Sequence, residues 1–566
     1  MKKTTLLISI ISILFFGCKS KKVISDNNTI SADTTQVLVA EKTINIDSIN
    51  NIIDSTIKNI VIDLDSVNSK VDGQFIFSHS LLPESYKNID YHQLWKSKKN
   101  RTDAINAILK SKEHGLVPKD YHINEINKLN DNYSNLSPEN LAVLDILLTD
   151  GIILYAYHLI EGKLNPEDLS YSWNFIHNKL PENTAPLLHA AISEERLTEI
   201  LYSLEPQDNE YKKLKEQYKI NEKIINNGGW NIVNFETSIH PNAENEEIPQ
   251  LRKRLIAEGY LLETDTSSSK LYDKKLIDAV KHFQKQHGLT ADGVIGKHTL
   301  KIINISVEEK QKTIVCNLER RRWIDYPFEK PYIKVNIASY RMQFIENYDV
   351  VYASKVVVGK TQKQTPMFED KLEIVVINPT WTLPYSITST ETLRKLKKDP
   401  NYLDKHNMNL IDRNGKVINN HGIDWHKYKE GHFPYTVRQG AGPSNALGRV
   451  KFLFPNKYAI YLHDTPSKYL FSKDERDFSH GCIRLQNPLN FAEFLLKREN
   501  ATKWNKDVIA KIVKTEKTKN ISLRHKYPIL LMYQTAGTTQ NDEIFYYADI
   551  YKRDAKVYEL LVKTTN

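Results

Sequence analysis

Tyr461-Leu462-His463-Asp464-Thr465 and Ser479-His480-Gly481-Cys482-Ile483-Arg484-Leu485 are the two stretches on which the reading of this chain turns. His463 ends a strand-like pattern that starts near Tyr458, and Cys482 follows 19 residues later, beyond the polar connection 464–478. A connection of that length without a period of its own is more often functional than incidental. A thiol is mostly protonated at neutral pH, so a cysteine nucleophile needs an imidazole to take its proton. Gly481 directly before the cysteine lets the backbone turn tightly and leaves amide N–H groups free to face an oxyanion. Three other readings compete. The two histidines, the cysteine and Asp464 are zinc-ligand types, although the paired spacings of zinc sites are absent. Cys482 could be a structural core thiol, or an export compartment could join it to Cys316. Cys316 follows Thr313-Ile314-Val315 on an apolar helical face, which suits an inert core thiol better.

Around this pair the apolar pattern has period 2, the mark of half-buried strands. Strands are expected at 334–337, 342–346, 350–358, 372–377 and 458–462. The polar, helix-leaning stretch 384–437 interrupts them and reads as an inserted lid. After Cys482, Asn487-Pro488 reads as a cap followed by Pro at the start of a helix. A last hairpin is expected from 528–533 and 543–547, then a helix near 553–562.

Upstream the period is helical. Ser137-Pro138-Glu139 is a helix start, leading into residues 141–160, which are apolar on nearly every side. Asp145, Asp150 and His158 interrupt that run, so a buried helix is expected rather than a membrane span. Helical patterns continue at 186–192 and 195–218, and no catalytic constellation is found in 73–247. In 248–305, Leu251 and Leu255 lie on one helix, Leu276, Val280 and Phe283 on another, and Asp292-Gly293-Val294-Ile295-Gly296 makes a turn before a third. A helical linker, 306–330, follows.

Met1-Lys2-Lys3 precedes residues 6–16 (LLISIISILFF), an apolar run of 11 residues, whereas a spanning helix takes about 20. Gly17-Cys18 stands where a small-residue cleavage site is expected. Residues 1–18 resemble a bacterial lipoprotein signal, with Cys18 as the lipidated residue; an ordinary secretory signal is the alternative. Either makes the chain an exported one. Lys19, where an acidic residue would favour the inner membrane, points to the outer membrane. Residues 19–72 are rich in Ser, Thr, Asn, Asp and Lys with no persistent period, and read as a flexible tether.

The segment 248–305 resembles the small three-helix peptidoglycan-binding domain, through its apolar face, the Phe283-Gln284 pair and the Asp292-Gly293 turn. His463, 15 intervening residues and Ser479-His480-Gly481-Cys482-Ile483-Arg484 resemble the signature of the L,D-transpeptidase catalytic (YkuD-like) domain. The resemblance implies Cys482 as nucleophile, His463 as general base and acid, and the Asp464 backbone carbonyl as the group orienting the imidazole. Ser479 and the amides of His480, Gly481 and Cys482 are then the candidates for oxyanion and support roles. Tyr461 and Arg484 are assigned to substrate or support, and Trp381 and Tyr385 to the donor groove, with a core role open for Trp381. Asn378-Pro379-Thr380-Trp381, Pro384-Tyr385-Ser386-Ile387, Arg320-Arg321-Arg322-Trp323 and Tyr533-Gln534-Thr535-Ala536 are similar to the large capped branch of that family. That branch joins a helical scaffold, the peptidoglycan-binding unit and a lid.

The expected fold class is therefore a multidomain α+β chain: helical scaffold, three-helix peptidoglycan-binding domain, and a mainly β catalytic domain (331–505, completed by 506–566) with an inserted helical lid. The implied reaction is acyl transfer through a thioester, giving 3→3 peptidoglycan cross-links, with no cofactor or metal. A cysteine carboxypeptidase or cell-wall peptidase, and a non-catalytic wall-anchoring lipoprotein, are the rivals; the His-before-Cys order is opposite to that of papain-like peptidases. The partners implied are peptidoglycan stem peptides and glycan, and a membrane through the lipid anchor. A net charge of +9 over 566 residues is too dilute to argue for nucleic acid.

Overall fold

A computed structural model describes residues 46–64, 68–169, 175, 184–325 and 330–564. The signal, Cys18 and the first part of the tether fall outside the described residues. The tether expectation fails from Ile46 onward, because Ile46–Ile62 is a helix. Ile53, Ile57 and Val61 recur every fourth residue and are buried in the scaffold core. Asn, Asp and Lys between them dilute the apolar stripe, which hid its period.

The centre of the scaffold is the helix Pro138–Glu161. Ser137 caps it by accepting from the Asn140 N–H. It is long and apolar enough to cross a membrane, yet most of it is buried inside the protein. Its polar residues are paired there, which removes the cost of burying them. Asp145 accepts from the Tyr86 hydroxyl (2.7 Å) and the Trp95 N–H (2.8 Å). Asp150 accepts from the Ser78 N–H and bonds His122 Nε2, both at 2.7 Å. The pattern at 195–218 resolves into two helices, Leu197–Leu204 and Asn209–Asn226.

Helices Ile248–Ala257, Lys274–Gln286 and Lys297–Ile303 form the next unit around Leu251, Leu255, Leu276, Val280 and Phe283. Gln284 fixes its turn, accepting from the Gly293 N–H (2.8 Å) while donating to the Val294 carbonyl (3.0 Å). The helix Val307–Arg322 then joins all parts. Arg322 donates to the scaffold's His114 carbonyl (2.8 Å), Arg321 pairs with Asp208 (2.8 Å), and Arg320 pairs with Asp554 of the last helix (2.6 Å).

The C-terminal region is built on a nine-stranded sheet: β1 (Tyr332–Asn336), β2 (Arg341–Glu346), β3 (Asp349–Gly359), β4 (Phe368–Ile377), β5 (Val450–Leu453), β6 (Leu462–His463), β7 (Asp477–Ser479), β8 (Ile483–Leu485) and β9 (Lys519–Met532). The spatial order is β7-β3-β8-β6-β5-β4-β9-β1-β2, and β2 pairs back onto β3, so the sheet closes on itself. Closure leaves few free edges. Three details depart from the sequence expectations. Residues 528–532 belong to β9, paired to β4 and β1, and the terminal hairpin is Ala536–Thr538 with Ile544–Tyr546. Asn487 adopts a left-handed conformation (φ 50°) and makes no side-chain cap to the helix Pro488–Glu499. The connection after β6 is not structureless: Lys468–Ser472 is a 3₁₀ turn that buries Leu470 and Phe471 against Val357.

The insertion leaves after β4 and returns at β5. It is less helical than expected. Alongside short helices it holds an antiparallel sheet, with Met408–Ile411 and Thr436–Gln439 central and Trp381–Thr382 and Val417–Ile418 at the edges. Leu393, Leu396, Leu410, Trp425 and Val437 give it a core of its own.

Because Ile57 is fully buried, Ile57→Ala is expected to destabilise the scaffold by about 2–4 kcal/mol. Urea unfolding of the full chain checks this; an unchanged midpoint would return the segment to a tether.

Candidate active site

Strands β6 and β8 run parallel with Leu462 opposite Ile483 and His463 opposite Arg484, and the Ile483 N–H donates to the Tyr461 carbonyl (3.1 Å). Leu462 and Ile483 are fully buried in the barrel core. Side chains alternate along extended backbone, so Tyr461, His463, Cys482 and Arg484 share the opposite face. The sequence-predicted pair is thus brought together as diagonal neighbours on adjacent strands, roughly 8 Å apart at Cβ given the spacings of a sheet.

His463 Nδ1 donates to the Asp464 carbonyl at 2.5 Å, which leaves Nε2 as the lone-pair nitrogen. Burial, aided by the positive charges of Arg484, Lys451 and Lys468, presses the ring's pKa down to about 3. The imidazole is therefore neutral and able to accept a proton. Asp464 is itself pinned: its carboxylate accepts from the Arg449 N–H (2.8 Å) and the Thr465 N–H (2.7 Å) and pairs with Lys468.

Cys482 is half-buried and free, as is the buried Cys316, so the two form no disulfide. The Cys316 thiol contacts the Asp554 carbonyl in the core. Burial pushes the Cys482 thiol up, while the Tyr461 N–H and hydroxyl, Arg484 and Lys451 pull it down. Its sulfur contacts the Ala459 carbonyl at 3.7 Å.

The loop before the cysteine is held by Ser479, whose hydroxyl donates to the Cys482 carbonyl (2.6 Å) and accepts from the Gly481 N–H (3.1 Å). That second bond takes Gly481 out of the set of amides available to an oxyanion. The reason is local: Gly481 has φ +116°, and this turn aims its N–H back at Ser479. The Gly481 carbonyl accepts from Thr365 Oγ1 (2.8 Å).

The insertion reaches the site at two points. Trp381, on its edge strand, faces the Tyr461 hydroxyl, which also faces the Cys482 sulfur. His480 Nε2 lies 2.8 Å from Glu391 of the insertion. Tyr385 stays within the insertion, its hydroxyl donating to the Gly431 carbonyl (2.5 Å) and accepting from the Phe433 N–H (3.3 Å). Sequence reasoning missed Thr365, Glu391 and Lys451. For Lys451 a signal existed: it lies between the buried Val450 and Phe452 of one strand, so alternation puts it on the site face, opposite His463 in the β5–β6 ladder.

Comparison with known proteins follows this geometry. The L,D-transpeptidase catalytic domain family (YkuD) matches residues 330–512, which include both strands of the site. Residues 330–512 are thus similar to L,D-transpeptidase catalytic domains. Two further families match, "Scaffold domain" over 80–217 and "Putative peptidoglycan binding domain" over 244–303. A Haemophilus influenzae protein described as "Putative L,D-transpeptidase" is 39% identical over 225 residues, 40% of this chain and 45% of that protein. The chain thus matches less than half the length of that curated relative. The crystal structure of an L,D-transpeptidase (residues 123-326) from Xylanimonas cellulosilytica covers 53% of this chain and 99% of its own at 13% identity, with a TM-score of 0.16. That superposition is too poor to reason from. The expected architecture is present: a helical scaffold, a unit matching the peptidoglycan-binding domain, and a β-rich region matching the catalytic domain.

A ring held neutral by burial has a consequence for stability. Above about pH 6.5 folded and unfolded chains share the neutral form. Between there and about pH 3 only the unfolded chain takes the proton at this site, so stability falls by ~1.4 kcal/mol per pH unit. Urea unfolding of His463→Gln is therefore expected to improve relative to the native chain by about 2 kcal/mol between pH 7 and pH 5. An identical difference at both pH values would show that burial does not hold the ring neutral.

Proposed function

We propose that this chain works as an L,D-transpeptidase, a cysteine acyltransferase that forms 3→3 peptidoglycan cross-links. The observation that carries the reading is the common face of Cys482 and His463 on paired strands, with a neutral, oriented imidazole beside a half-buried thiol. His463 Nε2 takes the thiol proton as the sulfur attacks the carbonyl of the third residue of a stem tetrapeptide. The amides of His480 and Cys482 receive the oxyanion. The C–N bond to the terminal D-Ala then breaks, and His463 returns the proton to the leaving amine. The side-chain amine of a neighbouring stem attacks the thioester, a new amide forms, and the thiol is restored. Tyr461 and Trp381 line the donor side, and Arg484 offers a cation to a donor carboxylate.

In this reading the chain is exported and held on a membrane through acylated Cys18, with the periplasm as its compartment and the outer membrane favoured. Its product serves cell wall biogenesis and cell shape. The sequence of residues 1–18 supports that address, and two or more acyl chains give a stable anchor.

Cys482→Ala is expected to abolish acyl-enzyme formation while leaving the unfolding midpoint within about 1 kcal/mol of the native chain. Mass spectrometry after incubation with tetrapeptide muropeptides reads both the thioester adduct and the product. Cross-linked dimers support transfer to an amine, and released D-Ala without dimers points to a carboxypeptidase. Persistent acylation of the variant by a carbapenem, or unchanged cross-linking, would overturn the assignment of Cys482.

A further inference from the structure

Lys451 lies on β5, the strand next to His463, at the register position opposite it. Val450 and Phe452 on either side are fully buried in the barrel core, while Lys451 itself is only half-buried on the other face. Its ammonium sits 5.7 Å from the centre of the Tyr461 ring, within reach of that ring's negative face. Among the described residues no carboxylate pairs with it. A half-buried lysine without a counter-ion is costly, so its position calls for an anion that forms during the work of the site. We infer that Lys451 is a positioning residue of the catalytic pair, its charge holding the negative sulfur that appears when Cys482 gives its proton to His463. The inference rests on Cys482 being the nucleophile.

The bookkeeping of that step is simple. The S–H bond breaks and an N–H bond forms on the ring, leaving one negative charge on sulfur and one positive charge on the imidazole. The ring's new charge is opposed by burial and by the charges of Arg484, Lys451 and Lys468, so Lys451 favours the thiolate while it disfavours the imidazolium. The Tyr461 N–H and hydroxyl meet the sulfur from the residue opposite it, and the charges of Arg484 on its own strand and of Lys451, two strands away on β5, favour the thiolate. The charge coupling runs both ways: burial lowers the Lys451 pKa, and the Cys482 sulfur is the partner that raises it. Lys451 lies on the strand flanking the one that carries the base, its ammonium 5.7 Å from the centre of the Tyr461 ring, whose hydroxyl meets the sulfur.

The test is the pH profile of Cys482 alkylation by iodoacetamide in the full chain, read by peptide mass; Cys316, fully buried, serves as the silent control. Lys451→Met is expected to move the midpoint up by about one pH unit, a tenfold loss of thiolate at a given pH below it. Lys451→Arg, which keeps the charge, is expected to restore most of the native profile. Lys451→Gln, polar enough for a half-buried place, is the second neutral variant should the Met form fold poorly. Profiles of both neutral variants that coincide with the native one would overturn the inference. The profile is independent of turnover: native protein alkylated at Cys482 that yields no thioester from tetrapeptide would refute acyl transfer and leave the role of Lys451 to the alkylation data.

Discussion

Two rungs of a parallel ladder determine this molecule's chemistry. Leu462 against Ile483 and His463 against Arg484 are the register pairs of β6 and β8, and they fix the side-chain alternation of both segments together. A slip of one residue would turn the imidazole into the core and Leu462 toward solvent, because the side-chain period is two. The apolar partners therefore specify the polar ones. Burial of Leu462 and Ile483 sets the register, and the register sets which residues share the opposite face.

The electrostatics follow from the same placement. A buried ring is dry enough to stay neutral, and the Asp464 carbonyl selects its tautomer. A thiol beside it is also disfavoured as an anion by burial, and surrounding N–H, hydroxyl and cationic groups oppose that. The site rests as two neutral partners rather than as a preformed ion pair. In the proposed reaction, separation of charge is then confined to the moment when a donor has excluded water and arrived at the sulfur. The insertion adds to this enclosure through Trp381 at the Tyr461 hydroxyl and Glu391 at His480.

Much of this was legible before any coordinates. Strong periods, such as the three helices around Leu276 and Phe283 or the alternation 342–346, became elements where expected, because one face of each is buried. What failed had physical reasons. Ile53, Ile57 and Val61 were hidden among polar residues and read as tether. Residues 528–532 have the same alternation in a hairpin as in a central strand, and only long-range pairing with β4 and β1 decides between them. The engagement of the Gly481 amide by Ser479 depends on a backbone turn that glycine permits but does not announce. Lys451 was overlooked because a charged residue in a short strand looks like ordinary surface until its neighbour strand is known.

The buried arginines of Val307–Arg322 and the contacts of the peptidoglycan-binding domain with the barrel bear on how a polymer is handled. Gln286 donates to Glu543 of the terminal hairpin (2.6 Å), and Thr290 to Asp474 in the loop before the cysteine (2.8 Å). A grip fastened to its workbench in this way does not sweep out a volume as one on a loose string does. Its contribution to local concentration is that of a single spacing, large when the polymer's span fits and negligible otherwise. Under the proposed function, a strand held there reaches the site at one fixed spacing, and strands of the wrong reach are excluded by distance.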